Sequence, residues 1–529
     1  MRRLHPDLLG SLPAQVQRPA YDRAALRPGI VHLGIGAFMR AHLAVATEAA
    51  ITASGDTNWG ICGISLRSAA TRDALVPQAG LYTVAVRDAD AQGRPRQRLQ
   101  VIGCVCELLV APEDPGAVLD AIARPATRLL SLTVTEKAYL REPVSGVLLV
   151  DHPDIVHDLT HPATPRSALG VIVHGLARRR AQGQGGLTLM SLDNLPANGH
   201  TLRSLVLAFA RALPARGPTG AQAGVGAGAD PDPDLGAGGL ADWIDAHCRF
   251  PCSMVDRIVP RSADADRDRV AADLGCRDAW PVLAEPFFDW VVEDDFVLGA
   301  PGRPPWTPAH VRLVTQAEAW ERLKLRMVNG AHSALAYLSV LAGWSTVDEA
   351  MAQPALRSYV EGLLRDEITP MLPLLPGLDL ESYREALLAR FSNPGLAHQT
   401  RQIAMDGSQK LPQRLLGTLA ERLAAELPVK RLALAVAAWL LWLRGMDEAG
   451  RGHAIDDPLA GELAELWRRA DALAAQAHDA ALGTRTLTTY ERVFGTLGRD
   501  ERFNAAVHQA LIQLRTSGVA GALSAVAKG

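Results

Sequence analysis

Gly29-Ile30-Val31-His32-Leu33-Gly34-Ile35-Gly36-Ala37-Phe38-Met39-Arg40 decides how the first half of this chain folds. A short β-branched run enters a pair of glycines, and the stretch from Ala41 to Ala50 that follows has helical composition. The order is strand, glycine turn, helix start, the setting in which a dinucleotide pyrophosphate meets backbone N–H groups. Gly34, Gly36, Phe38 and Arg40 are the candidate contacts. The third glycine of the usual fingerprint is absent: Phe38 stands two residues after Gly36, and Met39 takes the sixth position. A plain tight turn is the competing reading.

A second strand is expected at Gly60-Ile61-Cys62-Gly63-Ile64-Ser65-Leu66, and more at Leu81 to Val86, Leu129 to Val134 and Leu187 to Leu192, alternating with helical segments. Such alternation implies a parallel α/β sheet. Ligands in these sheets bind beyond the carboxyl ends of the strands, which places Thr133-Val134-Thr135-Glu136-Lys137 and Ser191-Leu192-Asp193-Asn194 at the ligand end. From about His310 onward the pattern turns helical, with expected helices at Ala317 to Leu341, Leu356 to Asp366, Ser382 to Arg390, Gln413 to Glu426 and Lys430 to Leu443. The fold class is therefore α/β, a Rossmann-type parallel-sheet domain over 1–309 followed by a mostly α-helical domain over 310–529. Between Leu213 and Leu240 stand eight glycines and four prolines, so 213–240 reads as a flexible surface insertion.

With 529 residues the chain exceeds the size of one core, which supports two domains. A net charge of −3 and no basic run interleaved with aromatics argue against nucleic-acid binding. The longest apolar run, Leu432 to Leu443, has twelve residues and is too short to span a bilayer; it reads as a buried helix, and no membrane role is expected. Six cysteines, without an export signal at Met1-Arg2-Arg3, suggest a reducing cytoplasm. His247, Cys248, Cys252 and Cys276 invite a zinc reading, but no Cys-x-x-Cys pair is present and the spacings match no common site, so no metal is expected.

Lys324-Leu325-Arg326-Met327-Val328-Asn329-Gly330-Ala331-His332 carries the chemistry. On an α-helical wheel with Lys324 at the origin, His332 falls at about 80°, Asn329 at about 140° and Glu321 at about 60°. A base, a donor to a developing alkoxide and a partner for a substrate hydroxyl are what metal-free alcohol oxidation requires. The alternative is that Lys324 and Arg326 are solvated charges on an amphipathic helix.

Together with Gly34 to His42, the stretches Ser191 to Gly199, Met254-Val255-Asp256-Arg257-Ile258 and Lys324 to His332 resemble the long-chain mannitol dehydrogenase family. Glu285-Pro286-Phe287 with Trp290, Phe391-Ser392-Asn393-Pro394 and Asp406-Gly407-Ser408-Gln409-Lys410 match as well, in the family's order. The resemblance implies a Rossmann-type domain, a helical second domain, a cleft site between them and no catalytic metal. It makes Lys324 the general base, Asn194 and Asn329 donors to the reacting oxygen, and His332 the partner of a neighbouring hydroxyl. Glu321 becomes a proton relay, and Asp256 and Lys410 substrate contacts. In isolation, Asn194 can equally cap a turn, Asp256 pair with an arginine, and Lys410 be a loop charge.

Two departures bear on specificity. After Leu66-Arg67-Ser68 come Ala69-Ala70, where an acid usually receives the ribose hydroxyls; Arg67 or Arg72 can instead meet a 2′-phosphate, and Ser68 lies at the same strand end. NAD is the first choice of cofactor and NADP the second. Gln402 to Arg414 looks closest to fructuronate reductases, and Lys137 or Arg414 suits a substrate carboxylate. A sugar acid, fructuronate or D-mannonate, is the leading substrate, with mannitol, fructose or arabinitol as the runner-up and a monomer as the expected state. A non-catalytic protein that kept the fold would be signalled by loss of the lysine or an asparagine, and neither is missing.

Overall fold

The computed structural model describes residues 1–90, 94–142, 145–214 and 237–527. Most of the expected insertion, 215–236, lies outside these. The chain divides into two compact units, one of residues 1–87 with 96–318 and the other of 88–95 with 319–529.

The strands are β1 Pro28–Leu33, β2 Gly60–Ser65, β3 Tyr82–Ala89, β4 Pro95–Ile102, β5 Val105–Val110 and β6 Leu129–Leu132, all in the first unit but for the end of β3 and the first residue of β4. They continue with β7 Thr188–Ser191, β8 Ser253–Asp256, β9 Val282–Ala284, β10 Asp289–Glu293 and β11 Arg312–Val314. Five of them form a wholly parallel sheet in the order β5-β2-β1-β6-β7. The side chains divide with the period of two that a doubly covered sheet requires. Val31, Leu33, Cys62, Ile64, Leu130 and Leu132 join one apolar cluster, whereas Ile30, Ile61 and Leu129 join the other. From β1 the chain runs to β2 on one side and later returns to β6 on the other, so the strand order reverses at β1. Open α/β sheets bind ligands at that point.

One expected strand belongs elsewhere. Leu81 to Val86 is not part of the parallel sheet: β3 lies between β4 and β9 in a separate three-stranded sheet, and Val105–Val110 holds the edge position beside β2. The cause is local, because β4 begins shortly after β3 ends and pairing nearby segments closes a smaller loop than a crossover would. β8, β10 and β11 make a third sheet.

The second unit is helical. Lys430–Trp442 is its buried centre, with Leu432, Leu434, Val436 and Trp439 wholly enclosed, and it packs on Ala331–Ala342 and on Glu501–Ala527. By length and composition Glu501–Ala527 is the helix among the described residues that could cross a membrane, yet its backbone breaks at Gly518 and it lies against other helices of the unit. Three stretches leave the α-helical pattern for π-helix: Lys324–Gly330, Leu363–Ile368 and Pro412–Leu416. π-Turns are rare and cluster at functional sites.

Candidate active site

Within the first unit, the polar candidates gather at the carboxyl ends of β2, β1, β6 and β7, four neighbouring strands of one sheet. Gly34 closes β1 with φ of +93°, and a Cβ there would stand 2.1 Å from the Thr133 carbonyl oxygen, so only glycine fits. Gly36 precedes helix Ala37–Ala41, is exposed, and has no atom closer than 3.9 Å to where its Cβ would be, leaving the backbone open to a phosphate. Met39, in place of the third glycine, is fully buried, while Phe38 stacks on His42 at 5.0 Å and His42 on Phe288 at 4.5 Å.

Arg40 is a correction to the expected cofactor contacts. It is 2% exposed, its guanidinium lies over the Tyr82 ring and it donates to the Trp280 carbonyl at 2.6 Å, so it braces the core behind the turn. Arg67 and Ser68 are exposed beyond β2, where Ser68 Oγ accepts from the Ala70 amide. Arg72, weighed above as a 2′-phosphate partner, is bidentate on Glu113 and also bonded to Asp73.

Asn194 is exposed just past β7, and two neighbours that the sequence reading passed over fix its loop. The Asp193 carboxylate accepts from the Val134 amide and the Tyr139 hydroxyl, tying the β7 end to the β6 end; burial raises its pKa. The Asn198 amide donates to the Ser191 and Ser253 carbonyls and accepts from the Ser253 amide, pinning the loop to β8. A buried asparagine four residues after another was the available signal. Thr135, with φ of +72°, and exposed Lys137 stand in the adjacent loop. Asp256 ends β8 and is buried, and its neighbour Arg257 is engaged elsewhere, with its donors on the Ala41 and Glu285 carbonyls.

Within the second unit, the stretch Lys324 to His332 departs from the α-helical wheel. Residues 324–330 are π-helical and Ala331–Ala342 resumes as α, so the angles of 100° per residue do not apply. A π-turn joins residues five apart, the spacing of Lys324 and Asn329. Lys324 is 5% exposed and Arg326 7%, which removes the reading of both as solvated surface charges. Arg326 is structural, with both terminal nitrogens on Glu421. Asn329 Nδ2 and His332 Nε2 are buried with no hydrogen-bond partner among the described residues. An unpartnered buried donor costs about 1–3 kcal/mol, so a group absent from the apo chain is the natural partner of each. Glu321, half-buried, lies in the α-turn just before.

His332 sits on cationic ground. Its ring stacks on Phe391 at 4.1 Å and meets His398 edge-on at 5.8 Å, and its pKa is held well below the ordinary value by burial, then by His398, Arg390 and Arg414. Arg414 donates to Ser333 Oγ at 3.1 Å from the π-turn Pro412–Leu416. Gly330 is needed here, since its Cβ would stand 2.7 Å from the Arg414 carbonyl oxygen. The Asp406-Gly407-Ser408 motif is packing: a Cβ on Gly407 would strike Trp439 Nε1 and the Tyr337 hydroxyl, and Ser408 is bonded to Asp457. Lys410 follows from it, half-buried, with Nζ 2.6 Å from the Met405 carbonyl oxygen.

A glycine turn at the switch point of a parallel sheet, together with a helical unit carrying a buried lysine beside unpartnered donors, defines an oxidoreductase of the Rossmann type acting on CH–OH groups. The family model described as mannitol dehydrogenase Rossmann domain matches residues 28–306, and that of the mannitol dehydrogenase C-terminal domain matches 316–515. A mannitol 2-dehydrogenase of Pyrenophora tritici-repentis is 37% identical over 95% of this chain and 82% of its own length. A D-mannonate oxidoreductase of Escherichia coli is 41% identical over 85% of this chain and 87% of its own. The solved mannitol 2-dehydrogenase of Pseudomonas fluorescens, a ternary complex with NAD and D-mannitol, superposes with a TM-score of 0.83 at 36% identity, covering 99% of both chains. The chain belongs to the mannitol dehydrogenase family.

Proposed function

We propose that this chain is an NAD-dependent dehydrogenase whose leading substrate is a sugar acid, D-mannonate oxidised to fructuronate or the reverse, with Lys324 as its general base. The observation that carries the reading is the burial of Lys324 within one π-turn of Asn329 Nδ2 and close in sequence to His332 Nε2, both unpartnered. The Gly34–Gly36 turn and the Arg67–Ser68 strand end would hold NAD, the cofactor present in the P. fluorescens complex, which would supply the hydride acceptor. In oxidation, Lys324 Nζ takes the hydroxyl proton as the carbon gives up hydride, and Glu321 passes that proton to solvent. Asn329 donates N–H to the oxygen as charge develops, and His332 binds an adjacent hydroxyl.

The sugar-acid reading rests on the guanidinium groups of Arg390 and Arg414 near His332. Arg414 belongs to that group, whereas Lys137 is exposed on a strand-end loop, so Arg414 is the better carboxylate partner of the two. The second reading, a polyol, is favoured by the mannitol 2-dehydrogenase relatives. Cys62, Cys104, Cys248 and Cys276 are buried thiols outside any disulfide, which supports action in a reducing cytoplasm as part of this proposal. Nicotinamide absorbance with fructuronate, fructose, mannitol and arabinitol in turn tests this. Fructuronate is expected to lead in kcat/KM, and equal or better turnover of fructose makes the enzyme a mannitol 2-dehydrogenase.

A further inference from the structure

The geometry points to a zinc site formed by His200, Cys252 and Glu293, apart from the groups assigned to hydride and proton transfer. One ligand atom from each residue lies within 4.8 Å of the other two. The three come from separate elements: His200 from the first turn of helix Asn198–Ala212, Cys252 from the residue before β8, and Glu293 from the end of β10.

Packing fixes each of them. A Cβ on Gly199 would be 2.3 Å from the Phe250 carbonyl oxygen and 2.7 Å from the Cys252 nitrogen, so the helix start is pressed onto the segment that carries the thiol. Asn198 bonds the same helix to both backbone groups of Ser253. Cys252 and Glu293 face each other across β8 and β10, joined by a backbone bond of 3.0 Å from the Glu293 amide to the Cys252 carbonyl. The Glu293 carboxylate accepts from the Cys252 amide at 2.8 Å and from the Ala317 amide at 3.0 Å, one on each oxygen. Each oxygen keeps a lone pair, and the carboxylate is oriented as outer-shell hydrogen bonds orient metal ligands.

Imidazole, thiolate and carboxylate are the ligand types of zinc, and three of them leave a fourth tetrahedral position for water. A thiolate and a carboxylate together neutralise the dication. Binding releases the Cys252 proton to solvent. His200 is exposed, which gives an ion its way in, while Cys252 is 4% exposed, which keeps the sulfur from bulk water. The ion would clasp the loop that carries Asn194 to the strand that carries Asp256, so its role is structural.

The test uses the full chain, stripped with a chelator and titrated with cobalt(II) and then with zinc. About one cobalt per chain is expected, with thiolate-to-cobalt charge-transfer absorption in the near ultraviolet that zinc displaces. Cys252→Ser is expected to abolish the band, and Cys106→Ser, at the exposed cysteine, to leave it unchanged. His200→Ala, at an exposed position, is expected to weaken zinc binding by about a hundredfold or more, since even outer-shell changes cost about 10–100-fold. Absence of the band in the wild-type protein, its survival in Cys252→Ser, or unchanged affinity in His200→Ala overturns the site. Because the readout is absorption, failure here leaves the role of Lys324 untouched.

Discussion

In the sheet unit, Arg67, Ser68, Lys137 and Asn194 stand on exposed loops beyond strand ends, whereas in the helical unit Lys324 and His332 are buried inside continuous helical structure. The loops rest on a rigid parallel sheet and can change without disturbing its two apolar faces. Buried polar groups are costly, and the helical unit keeps two donors unpartnered in the same stretch that twice changes its helical form. A π-turn inserts a residue's worth of backbone, re-aims the side chains and weakens local hydrogen bonding. Such a cost is retained where geometry matters more than stability. On the proposed reading, the sheet unit offers recognition on a stable platform, and the helical unit carries the chemistry where its helix changes form.

If that division is right, substitutions in the π-turn should damage rate, and those among the surrounding cations should damage selectivity. The largest effect is expected for Lys324→Ala: turnover falls by about 10²–10⁴-fold, the contribution of a positioned acid–base group, while NAD binding measured by fluorescence titration is unchanged. Asn329→Ala comes next, with about 3 kcal/mol added to the barrier, or roughly two orders of magnitude in kcat, because its Nδ2 is buried for a partner that appears as charge develops. An equal loss in KM alone would move Asn329 from transition-state stabilisation to ordinary binding.

Arg414→Met sharpens the substrate side. A charge-assisted hydrogen bond contributes about 1.5–3 kcal/mol, so the fructuronate-to-fructose ratio in kcat/KM is expected to drop by about 10–100-fold, with fructose turnover spared. The same change at Lys137 should move that ratio little. The smallest effect is on stability. His398 is pulled down to about 4 by burial and by Arg390, from an ordinary 6.5. As pH falls below 6.5 the unfolded chain takes up a proton at this residue that the folded chain refuses. Stability contributed by the neutral ring is therefore complete above that pH and declines down to about 4. Denaturant midpoints across this window should fall in the wild-type protein and fall less in His398→Gln.

Apolar runs alternating with helical segments, together with the Gly34–Gly36 turn, make the parallel sheet legible, because strands buried on both faces read as continuous apolar runs. β3 was misplaced because strand composition does not carry pairing partners: Leu81 to Val86 suits any buried sheet, and its short connection to β4 decided the matter. Lys324, Asn329 and His332 were legible as residue types in a fixed order, but the π-helix was not, since nothing in a Lys-Leu-Arg-Met-Val-Asn-Gly run distinguishes i+5 from i+4 bonding. Arg40 lies near the glycine turn in sequence, but a buried ring and a carbonyl some 240 residues away claim it, contacts that no local pattern carries. The gathering of His200, Cys252 and Glu293 shows the same limit, as no local spacing joins a helix start to two strands.

The central claim, that the buried Lys324 amine moves the proton, is tested most directly by chemical rescue of Lys324→Ala. Nicotinamide absorbance would be followed as small primary amines of graded basicity are added at fixed pH. The account predicts that rate rises in proportion to the unprotonated amine and increases with its basicity, while NAD affinity stays that of the wild-type protein. Wild-type turnover by the variant in amine-free buffer, with an unchanged pH profile, would contradict it.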